Sequence, residues 1–182
     1  MVLSLYSLNP VIMKKSIKIE DVVITDTVGI YTFRFEKNSH TEFEDFMLRY
    51  KDTENKLIKN DFDRIIKAID KISKSQEGAI ERRFRTNERT MSDNVVAIPL
   101  DTQRRRKNQY TLRLYCVRLS DRILIIGNGD TKQGSYNNNP NIVKYTDDLA
   151  NIEKAINYFV KRKKIALNYN KIIIDDSVDI KI

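Results

Sequence analysis

The chain contains one cysteine, Cys116, and one histidine, His40. A single cysteine excludes an intramolecular disulfide and predicts a reducing, cytoplasmic setting. Cys116 sits in an apolar run and reads as a small core residue. One histidine with one cysteine cannot build a zinc site of the usual kind, and there is no Ser-His-Asp set. His40 opens a helical segment and reads as a surface or capping-region residue. No P-loop is present, and the GNGD run at Gly127 to Asp130 is a turn signal that falls short of a dinucleotide fingerprint. The acidic pairs Asp147-Asp148 and Asp175-Asp176 read as cap and surface residues, so neither a metal nor a cofactor is expected. No apolar run approaches the length of a membrane span. The opening MVLSLYSLNPVIMKK lacks a basic leader and a small-residue cleavage site, which predicts no secretory signal and no membrane partner. Met13 is a second candidate start, and residues 1–16 are expected to form a flexible extension. Internal repeats and low-complexity linkers are absent.

What the chain does have is positive charge. Its 182 residues suit one domain with a core of useful size. The formal net charge is +8 and the pI about 9.5. That balance favours a polyanionic partner: RNA, DNA or an anionic membrane.

Periodicity predicts a single α+β domain over residues 17–182. Ile30 to Phe35 alternates as a strand, and residues 17–36 form a hairpin with its turn at Thr25 to Gly29. Residues 41–51 form a helix with Thr41 and Glu44 as a capping box. A second helix runs from Asp61 to Ser75, capped by Asn60 or Asp61, so the two make a helical hairpin. Asn94 to Leu100, Tyr110 to Leu119 and Arg122 to Gly127 make a three-stranded antiparallel meander, the last strand apolar enough for mid-sheet. Residues 134–145 read as a loop. A third helix, 147–164, and short β-prone pieces follow in a C-terminal elaboration spanning 137–182.

Strand parity separates Tyr110, Leu112, Leu114 and Cys116 from Thr111, Arg113, Tyr115 and Val117. If helices cover the first set, Arg113 and Tyr115 project together, a cation beside a ring, as holding a phosphate and stacking a base require. Arg82, Arg83, Arg85 and Arg89 form a second basic group, and Arg104, Arg105, Arg106 and Lys107 a third. Taken singly each run reads as a solvated loop; together they favour nucleic acid.

The run LRLYCVRLSDRILIIGNGDTKQGSY, residues 112–136, resembles the RelE-type toxins of bacterial toxin–antitoxin pairs. In that family a strand with Arg and Tyr is followed by a hydrophobic strand, a basic residue and a tyrosine. Arg113, Tyr115, Ile123 to Ile126, Lys132 and Tyr136 match, within a likeness covering roughly residues 30–136. The resemblance implies a ribosome-dependent endoribonuclease that cuts mRNA without a metal, by attack of the ribose 2′-oxygen on the adjacent phosphate. It implies that Arg113 holds the phosphate, that Lys132 stabilises charge or serves as the acid, and that Tyr136 stacks or shuttles a proton. Arg82, Arg83 and Arg85, with Arg104 to Lys107, would grip ribosomal RNA, and a separate antitoxin would be the protein partner. Members of the family that poison gyrase lack the full catalytic set. The alternatives from other classes are a non-catalytic basic protein that binds nucleic acid or protein, and an accessory protein of a phage or mobile element.

Overall fold

A computed structural model of the chain describes residues 15–84, 92–100, 110–134 and 138–182. Arg85, Arg89, Arg104, Arg105, Arg106, Lys107 and Tyr136 lie outside the described residues. The fold is α+β, as the patterning predicts. Strands β1 (Ser16–Ile24) and β2 (Gly29–Phe35) form the hairpin, antiparallel from Ile17 opposite Phe35 to Ile24 opposite Gly29. In its turn the Thr25 hydroxyl accepts the Val28 amide at 3.1 Å.

Helix α1 (Glu42–Tyr50) starts on the expected capping box: Thr41 Oγ1 accepts the Glu44 amide at 3.1 Å, and Glu44 Oε2 accepts the Thr41 amide at 2.7 Å. Helix α2 (Lys56–Ser73) begins earlier than the sequence predicts. Its cap is Asn55, whose Oδ1 accepts from the Leu57 and Ile58 amides. Asp61, the expected cap, lies fully buried inside the helix, and its Oδ2 accepts the Leu112 amide at 3.0 Å. A helix cap and a buried strand-capping carboxylate look alike in sequence, because both are acceptors placed before an apolar stripe.

A 3-10 turn at Glu81–Arg83 leads to β3 (Val95–Ala97), then β4 (Thr111–Ser120) and β5 (Ile123–Lys132). Helix α3 (Pro140–Lys161) takes in the second half of the expected loop. Pro140 opens the helix, where its missing N–H costs nothing and its fixed φ suits the first turn. A small hairpin of β6 (Ile165–Asn168) and β7 (Lys171–Ile174) follows, and β8 (Ile180–Lys181) pairs with β1.

The main sheet has the order β3-β4-β5-β2-β1-β8 and is antiparallel except where β2 meets β5. As its apolar run predicts, β5 is internal. Both faces are covered. α1 and α2 pack Phe46, Phe62, Ile65 and Ile72 against Ile30, Leu112, Leu114, Leu124 and Ile126. On the other face α3 packs Leu149, Ile152 and Ile156 against Tyr31, Phe33, Tyr115, Val117 and Ile125. No helix among the described residues is long and apolar enough to cross a membrane.

Phe46 is the hub of the first core layer, its ring 5.2 Å from that of Tyr50 and 6.0 Å from that of Phe62, centre to centre. Phe46→Ala is expected to cost about 3–5 kcal/mol of unfolding free energy, read as a drop in the urea midpoint at unchanged slope.

Candidate functional site

β2 and β5 run parallel, but the chain leaves them on opposite sides, from β2 into α1 and from β5 toward α3. That is a topological switch point, where the crevice outside the carboxyl ends of the strands is the usual place for a ligand in an open α/β sheet. The pairing ends at Thr32 opposite Ile126, while β5 continues to Lys132.

Just past that point β5 is bulged. Leu114 faces Gly129 and Cys116 faces Ile126, so Tyr115 alone opposes Gly127 and Asn128. A bulge re-aims the side chains that follow it. The two glycines have separate reasons. A Cβ on Gly129 would lie 1.9 Å from the Arg113 carbonyl, and one on Gly127 would press on Leu149 of α3 at 3.1 Å. The GNGD run is therefore a bulge inside a strand, a correction to its reading as a turn.

A polar cluster fills the space beside the bulge. Asn128, 4% exposed, donates to Glu42 Oε2 at 2.8 Å, and its Oδ1 accepts from Arg49 Nη2. The same Arg49 nitrogen donates to the Gly129 carbonyl at 2.8 Å. The Arg49 guanidinium lies 5.0 Å from the Tyr50 ring centre and 5.9 Å from that of Tyr145, within cation–π range. Tyr50 donates to Asp130 Oδ1 at 2.7 Å, and Asn141 Nδ2 donates to Asp130 Oδ2 at 2.8 Å.

These contacts set the ionisation of the cluster. Burial raises the Asp130 carboxyl, but hydrogen bonds from Asn141, Tyr50 and the Thr131 amide, with the Arg49 charge, outweigh it and hold the group below its ordinary value. Burial and the bond to Asp130 push the Tyr50 phenol well up. Tyr145 is also raised by burial, against the pull of Arg49. Asp148, on α3 near Glu42, is raised by burial with only partial relief from Lys144, whose Nζ lies 3.9 Å away. Its Oδ2 is buried and has no hydrogen-bond partner among the described residues.

Of the residues the sequence singled out, Arg113 and Lys132 lie on the two strands that run on past this crevice. Arg113 faces Asp130 and Thr111 faces Lys132 across the β4–β5 ladder, which makes Arg113 and Lys132 diagonal neighbours; both are half-buried. Tyr115 is the correction. It is 0% exposed, because α3 covers the face that parity alone left open, so it cannot stack on a base in this fold. Arg82 and Arg83 lie elsewhere, paired with Glu77 beside the 3-10 turn; Arg83 Nη2 sits 2.9 Å from its Oε2. Arg85, Arg104, Arg105, Arg106, Lys107 and Tyr136 fall outside the described residues. Sequence reasoning missed Glu42, Arg49, Asn128 and Asp130. Their one signal was two glycines, Gly127 and Gly129, separated by a single residue inside a strand pattern, which marks a bulge as readily as a turn.

The chain matches no protein-family model, no curated protein and no solved structure, so the functional reading rests on its own geometry.

For a carboxyl whose folded pKa is raised, the cost of the charged form is full above that pKa and vanishes below the unfolded value. Asp148→Asn is accordingly expected to stabilise the protein at neutral pH. The gain should shrink as pH falls through the raised Asp148 pKa toward the ordinary aspartate range, measured by urea unfolding of both proteins across pH 3–8.

Proposed function

We propose that the chain is a toxin-like endoribonuclease of the RelE type, acting on mRNA at the ribosome and opposed by a separate antitoxin. The observation that carries this reading is the diagonal placing of Arg113 and Lys132 on the β4–β5 ladder, on the strands that run past the switch point of a strongly basic chain. Two cations about 7–8 Å apart along a ladder suit opposite sides of one phosphate.

In the reaction the ribose 2′-oxygen forms a bond to phosphorus as the bond to the 5′-oxygen breaks, leaving a cyclic phosphate and a free 5′-hydroxyl. Arg113 holds the phosphate, and Lys132 meets the charge that builds on its oxygens and gives a proton to the departing 5′-oxygen. Tyr136 is kept as the residue that stacks or shuttles a proton. Burial raises the Asp148 carboxyl above its ordinary value and makes its ionised form the stronger base, the role we give it in taking the 2′-hydroxyl proton.

A second reading has one observation in its favour. With Tyr115 beneath α3, the expected pairing of cation and ring is absent from the surface, which fits a binder without turnover. Purified protein added to programmed ribosomes, with mRNA ends read by primer extension, separates the two. The enzyme reading expects discrete ribosome-dependent cuts. Arg113→Ala and Lys132→Ala should each reduce cleavage by about 10²–10³-fold while the folded fraction is unchanged. Intact mRNA with the wild-type protein would overturn the enzyme reading and leave the binder.

A further inference from the structure

The outer side of α2 carries a cationic groove well away from the β2–β5 crevice. Arg64, Lys67 and Lys71 follow one another at i, i+3 and i+7, so they share one helix face, about 4.5 and about 6 Å apart along the axis. All three are exposed, and none makes an ion pair among the described residues. The acids of α2 are committed elsewhere. Asp63 pairs with Lys59 at 2.7 Å, Asp70 with Lys74 at 2.7 Å, and Asp61 caps the Leu112 amide. Arg83 joins the stripe from the 3-10 turn, and the four cations rim a groove of about 510 Å³. Its floor is Ala68, Ile72 and Pro99. No acidic side chain among the described residues lines it. Glu77, which partners Arg83, is shared with Arg82, so one negative charge answers two positive ones.

We infer that this groove binds the phosphodiester backbone of an RNA strand. The inference rests on the reading of RNA as the substrate and adds a docking rail to it. Unpaired cations at regular spacing meet phosphates, whereas the described lining holds no aromatic ring on which a base could stack. Contact is therefore with the backbone alone, without sequence preference. Four phosphate contacts to a single strand predict a slope of log K against log salt of about −3.

The test uses the full chain and a fluorescent 2′-O-methyl oligonucleotide, which has no free 2′-hydroxyl and so reports binding without cleavage. Anisotropy is followed across a potassium chloride series for the wild type, for Arg64→Gln/Lys67→Gln/Lys71→Gln and for Arg113→Ala. The triple variant changes only exposed positions, and circular dichroism verifies its helix content. The expected result is at least tenfold weaker binding by the triple variant and a slope shallower by about 2, against a slope shallower by less than about 1 for Arg113→Ala, which loses the one phosphate contact given to that residue. Equal affinity and slope for wild type and triple variant would overturn the groove. If mRNA cleavage survives in that case, the site at Arg113 stands without it. Binding of poly-glutamate in place of the oligonucleotide would overturn the RNA assignment in favour of an acidic protein partner.

Discussion

The short parallel junction between β2 and β5, Gly29 to Thr32 against Ile123 to Ile126, is the constraint on which the rest of the structure depends. It joins the N-terminal hairpin to the meander and puts both strands in mid-sheet. Strands there present apolar side chains to both sides, Ile30, Leu124 and Ile126 to one and Tyr31, Ile123 and Ile125 to the other. Such a centre has to be covered twice. α1 and α2 cover the first face, and α3 must cover the second, or Tyr31, Phe33, Tyr115 and Val117 would meet water. α3 and β8 are thus part of the core and sheet, and the pairing that builds the sheet also closes its faces to a polymer ligand.

The same junction explains the polar cluster. Once β2 and β5 part, the backbone of β5 loses its neighbour and its polar groups need other partners. Arg49 supplies one at the Gly129 carbonyl, and Asn128 ties that arrangement to Glu42. Burying so many polar groups is costly unless each is bonded, and most here are. Asp148 is the exception, held in a desolvated place with a distant ammonium as its main relief. A residue that costs stability and sits beside a switch-point crevice is the kind that activity retains at the expense of stability.

Much of this was legible in the sequence, and the failures have physical causes. The Thr41–Glu44 capping box, the stripe Phe62, Ile65, Ile69 and Ile72, and the apolar run of β5 are local signals, and they formed as read. Tyr115 failed because strand parity divides residues between two faces but does not say how many faces are covered; that depended on α3, thirty residues further on. Asp61 failed because a buried acceptor for a strand amide has the same local appearance as a cap. The crevice itself was illegible. Its members, Glu42, Arg49, Asn128, Asp130 and Asp148, come together only through the parallel junction, and a non-local pairing leaves no periodic trace. Arg113 and Lys132 come near each other because they lie on one hairpin, whose register is local.

The basic charge of the chain takes a different meaning once both faces are closed. Around the crevice charge is largely compensated, with Arg49 set among Glu42, Asn128 and Asp130. Of the remaining positive charge, α2 carries part in a form suited to binding. Its inner face, Ile58, Phe62, Ile65, Ile69 and Ile72, is locked into the core. Asp61 ties the helix to β4 near its start, and the Ser73 carbonyl accepts the Thr25 hydroxyl at 2.8 Å at its end. Arg64, Lys67 and Lys71 therefore project from a rail fixed to the sheet at both ends. A ligand that meets them orders only the side chains, with the backbone already in place, which lowers the entropic cost of binding. Hydrophobic burial on one side of α2 is thereby what organises electrostatics on the other.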